Sequence, residues 1–537
     1  MTGRRVPGHT APNPPAGWFL SNTIYKYELG AHLRMGSEIH VQQHEPIAEI
    51  DPNLYGHFAE HLGRCIYGGL WVGEDDRVPT DDGIRMDTID LLANLEMPVL
   101  RWPGGCFADD YHWEDGIGPR EERPTRRNAF WTQGRADIPE EPNEFGTEEF
   151  MRVCDLLDAE PYLAANLGSG SPGEAADWLE YCNYDGDTEL ANRRAENGSE
   201  EPHDVKFWGV GNENWGCGGR LSPEQYAEEF RRFATYLRSV DGLLSEQDVE
   251  LVSVGHIHDD WNRKFLDALS ECASFTEGPY DLMEHMSVHR YYEAGSDTDF
   301  DDEEYFRLLA RSRKVGGDVD NAVDALSVYA PESDISIVVD EWGVWHPEAT
   351  NTNGLEQENT VRDAISAAGV FDDLHERADV VAMANIAQTV NVLQCLVQTD
   401  EEDAWATPTY QVFDLYENHA GGTALDTVVD TDAHEVEDEP YDVPLVSASA
   451  SAHGDEVYVT LSNRALDSED VTVSLDEASA SVADSAVLFA DTEVDEYSRK
   501  DNADAFTPGE IDVDENGDGI FEVSVPASSV VALTVEA

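Results

Sequence analysis

The stretch WGVGNENW, residues 208–215, follows a strand-like apolar run that begins at Val205. Glu213 therefore stands where a buried strand gives way to a loop rich in Gly and Asn. A second glutamate, Glu341, ends the β-branched run ISIVVDEW of residues 335–342. Enzymes built on parallel strands place their reactive groups at strand ends. Two carboxyl groups in such matched positions are typical of a glycosidase, which works with a pair of carboxyl groups.

Short apolar runs recur from residue 54 to residue 388, mostly separated by helix-like stretches. Glu174–Tyr181 and Pro223–Val240 are the clearest helix candidates between them. This alternation predicts an α/β fold, a parallel (β/α)8 TIM barrel with its active site at the C-terminal ends of the strands. On this count Glu213 ends the fourth strand and Glu341 the seventh. The runs are Leu54–Glu60, Val99–Pro103, Pro161–Leu167, Val205–Glu213, Leu251–His256, Met286–Tyr291, Ile335–Glu341 and Val380–Gln388.

The predicted barrel covers residues 51–415, and the sequence on either side of it shows a different pattern of apolar and polar residues. Residues 416–537 contain short alternating segments divided by Gly, Asp and Ser, which predict an antiparallel, jelly-roll-like β-sandwich. Residues 37–50 alternate apolar and polar side chains as a half-buried strand does, and we expect them to contribute to that sandwich.

The beginning of the chain does not share the acidic bias of the rest. Within residues 1–36 the basic residues Arg4, Arg5, Lys26 and Arg34 outnumber the single acid Glu28. We expect this segment to be a disordered or non-native extension, with Met35 as the true start.

The charge of the chain is extreme, because 111 Asp and Glu against 33 Lys and Arg give a formal net charge of −78. A hydrophobic content of 41% with 12 Trp nevertheless argues for a folded protein rather than acidic disorder. A carboxylate-coated surface repels itself less when salt is high. The charge therefore predicts a protein of a salt-accumulating cytoplasm, and it argues against binding to nucleic acid or to anionic membranes.

Cysteine usage agrees with a reducing, cytoplasmic compartment. The seven cysteines are odd in number, widely spaced and without a CxxC pair, so we expect reduced thiols rather than a disulfide framework. The sequence shows no secretory signal pattern and no apolar run of 18 residues, so secretion and membrane spanning lack support. The cysteines are Cys65, Cys106, Cys154, Cys182, Cys217, Cys272 and Cys395.

Three further motifs have alternative interpretations that favour ordinary structure. His57–His61 matches the H-x-x-E-H zinc signature, but that signature needs a helix and the residues here look extended. Gly168–Gly173 fits G-x-G-x-x-G, yet Pro172 lies inside the turn and a βα loop explains it better than a nucleotide site. Asp512–Gly517 resembles the start of a calcium loop, but position twelve is Val523, which favours an acidic hairpin with an Asn-Gly turn. We expect neither a metal nor a cofactor.

The blocks around both glutamates resemble known motifs. WGVGNENWG around Glu213 and VVDEWGVWH around Glu341 are similar to the acid/base and nucleophile motifs of family 51 glycoside hydrolases. Further blocks resemble the family in the same order: IAEIDPNLYGHFAEHLGRCIYGGLW (47–71), RWPGGCFADDYHWEDGIGPR (101–120), SVHRYY (287–292) and ANIAQTVNVL (384–393). With its charge, the chain is identified as a salt-adapted, haloarchaeal-type member.

This resemblance implies a retaining, exo-acting α-L-arabinofuranosidase that releases terminal arabinofuranosyl residues from oligosaccharides or hemicellulose. Glu213 would protonate the leaving oxygen and later deprotonate water, and Glu341 would attack the anomeric carbon. Retention predicts that the two carboxyl groups lie about 5–5.5 Å apart. Asn212 would hold the sugar 2-hydroxyl, and Arg101 would keep Glu341 ionised by its positive charge.

The resemblance also implies which residues line the furanose pocket. Glu60, His289, Tyr291 and Gln388 match pocket positions of the family, and Trp345 matches an indole beside the leaving group. Cys106 stands where some members carry an Asn that contacts the sugar, and a thiol is a weaker hydrogen-bonding group.

Two other functions stay open at this stage. The family includes members that act on β-glucans or xylan, so an endo-acting retaining hydrolase is one alternative. A carbohydrate-binding protein that binds sugar without turnover is the other. The resemblance further suggests a homohexamer.

Raising KCl from about 0.1 to 3 M should raise the melting temperature of the protein. The Debye length falls from ~10 Å to ~3 Å by 1 M salt, so repulsion between surface carboxylates is screened, and apolar burial strengthens as well. Thermal denaturation followed by circular dichroism across this range checks the prediction. A flat profile, or greater stability at the low-salt end, would contradict salt adaptation.

Overall fold

The computed structural model describes residues 36–536, apart from 76, 132–139, 245–248, 272–277 and 279. The predicted extension therefore lies outside the described residues except for Gly36, and so do the predicted start at Met35 and the thiol of Cys272. None of the helices in the described ranges is both long enough and apolar enough to cross a membrane.

The helices of these ranges mostly fall between barrel strands. The α-helices are α1 (Met86–Leu92), α2 (Thr147–Leu157), α3 (Pro172–Asn183), α4 (Glu189–Glu196), α5 (Pro223–Asp241), α6 (Asp259–Ser270), α7 (Asp302–Ser312), α8 (Lys314–Tyr329), α9 (Val361–His375) and α10 (Pro408–Tyr416). Short 3-10 turns cover Pro52–Tyr55, Ala93–Leu95, Cys106–Asp110, Trp113–Gly116, Arg120–Glu122, Asn351–Asn353, Glu417–His419 and Ala503–Phe506.

The strands divide between a barrel and a C-terminal sheet, with a few two- or three-residue pairs in loops. They are β1 (Ser37–Glu49), β2 (Gly56–Phe58), β3 (Thr80–Asp81), β4 (Ile84–Arg85), β5 (Val99–Trp102), β6 (Arg126–Arg127), β7 (Glu140–Glu141), β8 (Glu160–Ala165), β9 (Phe207–Val210), β10 (Glu250–Val254), β11 (His285–Tyr292), β12 (Ser336–Val344), β13 (Val381–Ala387), β14 (Val397–Thr399), β15 (Ala404–Ala406), β16 (Thr423–Asp430), β17 (Ala433–His434), β18 (Val443–Pro444), β19 (Val446–His453), β20 (Glu456–Asn463), β21 (Glu469–Leu475), β22 (Ser481–Leu488), β23 (Asp514–Gly517), β24 (Ile520–Val525) and β25 (Ser529–Glu536).

Eight parallel strands close into a barrel in the order β2, β5, β8, β9, β10, β11, β12, β13. This confirms the predicted fold class, and each predicted apolar run overlaps one of these strands. Strand β9, which leads to Glu213, is the fourth, and β12, which carries Glu341, is the seventh. The two predicted helices lie within α3 and α5.

The barrel is packed with apolar side chains both inside and outside its wall. An interior cluster that includes Tyr162, Phe207 and Met383 fills the lumen. Because helices cover the outer face as well, the strands are buried on both sides and read as continuous apolar runs. Helix α5 illustrates the covering layer: Ser222 caps it, Pro223 occupies its first turn, and it buries Tyr226, Phe230, Phe233, Leu237 and Val240 at helical spacing.

A β-bulge interrupts β12 beside the second glutamate. Val339 pairs with Val288, and the next pair joins Glu341 to His289, so Asp340 is an extra residue. Strict alternation would send Asp340 and Glu341 to opposite faces of the strand, but both side chains reach the Arg101 guanidinium. The strand continues to Val344, so Glu341 lies inside β12 rather than at its end as predicted.

The C-terminal strands form a nine-stranded sheet in the order β22, β25, β20, β19, β16, β1, β21, β24, β23. Strand β1 crosses over from the beginning of the chain, antiparallel to β16 and parallel to β21. Val487 and Phe521, from strands near opposite ends of this sheet, share one buried cluster, so the sheet curls around its own core. The acidic hairpin of β23 and β24 turns at Asp518–Gly519 rather than at the predicted Asn-Gly pair.

A buried carboxylate joins barrel helix α9 to the C-terminal sheet. Asp372 accepts hydrogen bonds from Ser447 and, at 2.9 Å, from Tyr416, and its Oδ2 lies 3.5 Å from Nη2 of Arg464. Burial raises the pKa of Asp372 to about 6, although the Arg464 charge works in the opposite direction. Both charged side chains are almost fully buried, so each partly compensates the charge that the other buries.

Replacing Asp372 with Ala should lower the free energy of unfolding by about 3–5 kcal/mol, because it removes the buried carboxylate that pairs with the Arg464 guanidinium. Urea titration at pH 8, where Asp372 is ionised, measures the change. Asp379→Ala, which removes an exposed carboxylate a short way along the chain, is the matched control and should leave stability nearly unchanged. Equal stability of both variants would contradict this role of Asp372.

Candidate active site

Side chains from several barrel strands converge at the C-terminal ends of those strands. Strand β5 contributes Arg101, β11 contributes His289 and Tyr291, β12 contributes Glu341, and the loop after β9 contributes Glu213. Parallel strands all end at the same rim of a barrel, so residues far apart in sequence meet there. The structure brings all ten predicted site residues into this one region, through the contacts described below.

Arg101 is the centre of these contacts. Its Nη1 donates to Oε1 of Glu341 at 2.9 Å, and its Nη2 donates to Oδ1 of Asn212 at 2.7 Å. Its Nε lies 3.4 Å from a carboxylate oxygen of Asp340, and the ring of Phe58 covers the guanidinium at 4.5 Å. A fully buried guanidinium thus holds Glu341, Asn212 and Asp340 together.

Glu341 is buried, but its surroundings favour the ionised form. Burial raises the pKa of Glu341, and the charges of His289 and Arg101 together with the hydrogen bond from Tyr291 lower it by more. Tyr291 donates to Oε2 at 2.7 Å, so each carboxylate oxygen of Glu341 holds one hydrogen bond. A carboxylate fixed in this way is poised to act as a nucleophile.

Glu213 is the more accessible of the two glutamates, with 19% of its side chain exposed against 6% for Glu341. Nδ1 of His289 lies 3.1 Å from Oε1 of Glu213 and 3.5 Å from Oε2 of Glu341. Burial lowers the pKa of His289, but the charges of Glu341 and Glu213 together with the hydrogen bond to Glu213 raise it by more. Oxygen atoms of the two glutamates lie within 4.8 Å of each other, a close spacing that fits a retaining pair.

The loop that carries Glu213 is built around Asp109. Asp109 accepts hydrogen bonds from the backbone of Asn212 and of Gly168 and from the side chain of Asn214. A Cβ on Gly218 would lie 2.2 Å from Oδ2 of Asp109, so the loop approaches this carboxyl group more closely than a larger residue allows. Glu213 itself has a φ of 40°, in the left-handed region that non-glycine residues seldom adopt.

A disulfide joins Cys106 to Cys217, which contradicts the prediction of reduced thiols throughout. The two residues are 111 apart in sequence, but the loops after β5 and β9 bring their Cα atoms to 5.6 Å. Cys106 therefore lies at the site as predicted, but as a disulfide sulfur rather than as a hydrogen-bonding thiol. The free cysteines of the described residues are all buried: Cys65, Cys154, Cys182 and Cys395.

Glu60 and Gln388 lie beside Glu341 in the site and are hydrogen-bonded to each other. Glu60 accepts hydrogen bonds from the backbone of Phe107 at 2.9 Å, from the indole of Trp131 at 2.8 Å and from Nε2 of Gln388 at 3.1 Å. Burial and then the charge of Glu341 raise the pKa of Glu60 to about 7. Oε1 of Gln388 is buried and has no hydrogen-bond partner among the described residues, so it is free to accept a ligand hydroxyl.

Trp345 completes the rim on the side of β12. Its ring stands nearly perpendicular to that of Tyr291, with centroids 5.3 Å apart. Its indole nitrogen donates to the carbonyl of Ala349, which fixes the ring. Gly105 closely approaches two glutamates of the site, because a Cβ there would lie 2.9 Å from Oε1 of Glu341 and 3.5 Å from Oε2 of Glu60.

The H-x-x-E-H stretch lies on strand β2 and the loop after it rather than on a helix. His57 bonds to Thr389 at 3.1 Å, whereas His61 bonds to Glu141 and accepts from the Trp102 indole. The two histidines therefore have separate partners and do not converge on one point.

Sequence reasoning missed several residues that hold the site in place. Asp109, Asn214 and Asp340 contact the catalytic loop or Arg101, and the indole of Trp131 contacts Glu60. Asp109 lies in the quoted block 101–120 and Asn214 adjoins Glu213, so both stood in stretches already singled out. Nothing in the residue types distinguished them from the other acids and amides of this chain.

Comparison with known proteins finds similarity to α-L-arabinofuranosidases along most of the chain. The profile of the α-L-arabinofuranosidase 1 domain matches residues 91–302, and that of the α-L-arabinofuranosidase C-terminal domain matches residues 340–529. The chain is 38% identical to an intracellular exo-α-L-arabinofuranosidase of Bacteroides ovatus, over 96% of this chain and 98% of that one.

The fold is also similar to solved structures of arabinofuranosidases. The GH51 arabinofuranosidase of Xanthomonas axonopodis pv. citri aligns with a TM-score of 0.85 and 34% identity, covering 93% of this chain and 99% of that one. The α-L-arabinofuranosidase of Thermotoga maritima, solved as an arabinose complex, aligns with a TM-score of 0.81 and 30% identity, covering 93% and 100%.

Proposed function

Because the chain belongs to the α-L-arabinofuranosidases of glycoside hydrolase family 51, we propose that it is a retaining exo-α-L-arabinofuranosidase. It releases terminal arabinofuranosyl residues from oligosaccharides or hemicellulose. The observation that carries the retaining assignment is the pair Glu213 and Glu341, whose oxygens lie within 4.8 Å across His289.

In the first step Glu341 attacks the anomeric carbon as the bond to the leaving oxygen breaks. Glu213 gives its proton to that oxygen, so the leaving group departs as a neutral alcohol. Arg101 and Tyr291 hold the two oxygens of Glu341, which fixes the direction of attack and keeps the carboxylate ionised. A covalent glycosyl-enzyme forms on Glu341.

In the second step water releases the sugar. Glu213, now a carboxylate, takes a proton from the water as the water attacks the anomeric carbon, and Glu341 leaves. The greater exposure of Glu213 suits this step, because its carboxylate must meet both the leaving alcohol and the incoming water. His289 bonds to Glu213 at 3.1 Å and orients it in both steps.

The remaining site residues select the sugar. Arg101 donates to the side-chain oxygen of Asn212 and so fixes the amide. The amide nitrogen of Asn212 has only the Cys217 sulfur, a weak acceptor, at 4.0 Å. Its N–H groups can therefore donate to the sugar 2-hydroxyl. Glu60 and Gln388 offer acceptors to the hydroxyls deeper in the pocket. Trp345 stands at the rim, where the leaving group would emerge.

Two further aspects of the proposal concern the setting of the enzyme. We propose a homohexamer, which rests on the family resemblance. We also propose a salt-rich cytoplasm, which is supported by the net charge of −78 and by the relative described as intracellular.

Hydrolysis of p-nitrophenyl α-L-arabinofuranoside in KCl tests the proposed activity directly. An endo-acting hydrolase would instead release oligosaccharides from β-glucan or xylan and leave this substrate almost untouched. A binding protein would retain arabinose-containing oligosaccharides without any turnover.

The two glutamates should differ in how they depend on the leaving group. Glu341→Ala should abolish turnover of all substrates because no nucleophile remains. Glu213→Ala should lower the rate by about 10² to 10⁴ on substrates whose leaving group needs a proton, and by less in the glycosylation of a nitrophenyl substrate. Pre-steady-state kinetics on both kinds of substrate measure the difference. Equal losses on good and poor leaving groups would contradict the role of Glu213.

Tyr291→Phe should move the acidic limb of the kcat/KM profile to higher pH. Its hydroxyl stabilises ionised Glu341, so removing it raises the pKa of the nucleophile, which must be ionised to attack. A hydrogen bond to a charged group contributes about 1.5–3 kcal/mol, which corresponds to a shift of about 1–2 pH units. Tyr292→Phe is the matched control, because that neighbouring hydroxyl lies near Ser366 and should leave the limb in place. An unmoved limb in Tyr291→Phe would contradict the assignment.

A further inference from the structure

The disulfide lies directly beside the proposed acid/base. Sγ of Cys217 is 3.9 Å from Oε2 of Glu213, and one carboxylate oxygen of Glu213 and the sulfurs of Cys106 and Cys217 all lie within 4.8 Å of one another. All three side chains are partly exposed, so small reagents in solution can reach them. Two sulfurs and a carboxylate at one point form a ligand set for a metal ion once the sulfurs are no longer bonded to each other.

A dithiol reductant would break the bond between the two sulfurs. It transfers two electrons and two protons to the disulfide, which becomes two thiols, and the reductant itself becomes a cyclic disulfide. In a reducing compartment, such as the one proposed for this enzyme, the thiol form would be the prevailing one. The chemistry of the site therefore depends on its redox state.

We propose that reduction converts Cys106, Cys217 and Glu213 into a site for Zn²⁺ or a similar soft divalent cation, which blocks the enzyme reversibly. Zinc binds thiolate at about 2.3 Å and carboxylate at about 2.0–2.2 Å, so tetrahedral ligands lie about 3.5–3.8 Å apart. The two sulfurs would need to separate from bonding distance to this spacing. Glycines on both sides of Cys217 and before Cys106 make such a small movement feasible.

Binding would release the two thiol protons and the proton of Glu213, and it would leave a fourth position for water or for His289, whose Nδ1 is 3.1 Å from Glu213. The site would prefer a soft cation, because thiolates select zinc over calcium or magnesium. A metal on Glu213 would occupy the oxygen that must give and take the proton, so both catalytic steps would stop. This consequence rests on the proposed function, whereas metal binding does not.

A second set of possible metal ligands in the site is a poorer candidate for the same cation. Glu213, His289 and Glu341 also bring ligand atoms within 4.8 Å of one another. However, Arg101 already neutralises Glu341, and its fixed positive charge repels a cation. Zinc should therefore inhibit the enzyme when Cys106 and Cys217 are reduced and not when they form the disulfide.

Cobalt binding tests the site without any substrate. The oxidised enzyme, the enzyme reduced with dithiothreitol and desalted without oxygen, and the reduced Cys106→Ser/Cys217→Ser variant are each titrated with Co²⁺. The reduced enzyme should bind one Co²⁺ per chain with a thiolate-to-cobalt absorption band, and Zn²⁺ should displace it. The oxidised enzyme and the variant should show no band. The variant also controls for the other cysteines, and reduced Glu213→Gln should bind Co²⁺ at least tenfold more weakly.

Activity completes the test, with each enzyme normalised to its own metal-free rate. One equivalent of Zn²⁺ should lower the rate of the reduced enzyme at least tenfold, a chelator should restore it, and the oxidised enzyme should be unaffected. Equal zinc inhibition of the oxidised enzyme or of the cysteine variant would overturn the proposal, and so would the lack of a cobalt band after reduction. A band in an enzyme that does not cleave arabinofuranosides would overturn the proposed function alone.

Discussion

The buried guanidinium of Arg101 is the interaction on which the site depends. Burying a charge is unfavourable unless partners replace its hydration, and here β12 supplies Glu341 and Asp340 while the loop after β9 supplies Asn212. Each of these contacts stabilises the buried charge, so the same guanidinium fixes the positions of the nucleophile Glu341 and of Asn212, the proposed partner of the sugar 2-hydroxyl. In a chain with a net charge of −78, this cation, His289 and the hydroxyl of Tyr291 keep Glu341 ionised beside Glu60 and Glu213.

The two glutamates are supported in different ways, and the difference matches their proposed roles. Glu341 lies within a strand, buried and held at both oxygens. Glu213 lies on a loop that is folded around Asp109 and tied to the neighbouring loop by the disulfide of Cys217. A nucleophile needs one fixed direction of attack, whereas an acid/base must meet a leaving group and then a water. The loop also makes Glu213 the residue most open to control by redox state or metal.

Much of this could be predicted from the sequence, because the signals were local. Continuous apolar runs reveal buried parallel strands, and the ends of those runs in the sequence marked both glutamates, although β12 continues beyond Glu341. The bulge at Asp340 could not be predicted, because it depends on register with β11 rather than on residue type. Alternation of apolar and polar residues could predict that residues 37–50 form a half-buried strand, but the neighbours of β1 in the sheet, β16 and β21, are set by tertiary packing.

The disulfide shows where reasoning from composition fails. An odd number of widely spaced cysteines argued for reduced thiols, yet Cys106 and Cys217 meet because the loops after β5 and β9, two strands separated by β8, come together at the same rim of the barrel. Spacing of 111 residues carries no information about that meeting. The hub Asp109 was hidden for a related reason: among 111 acidic residues, one buried carboxyl group has no distinguishing mark in the sequence.

The central claim is that Glu341 and Glu213 act by double displacement, and the stereochemistry of transfer tests it most directly. Cleavage of p-nitrophenyl α-L-arabinofuranoside in the presence of methanol, followed by proton NMR, shows the configuration of the methyl arabinofuranoside that forms. Two inversions, first at Glu341 and then by methanol activated by Glu213, predict the α-anomer. Formation of the β-anomer would show a single displacement and would contradict the account.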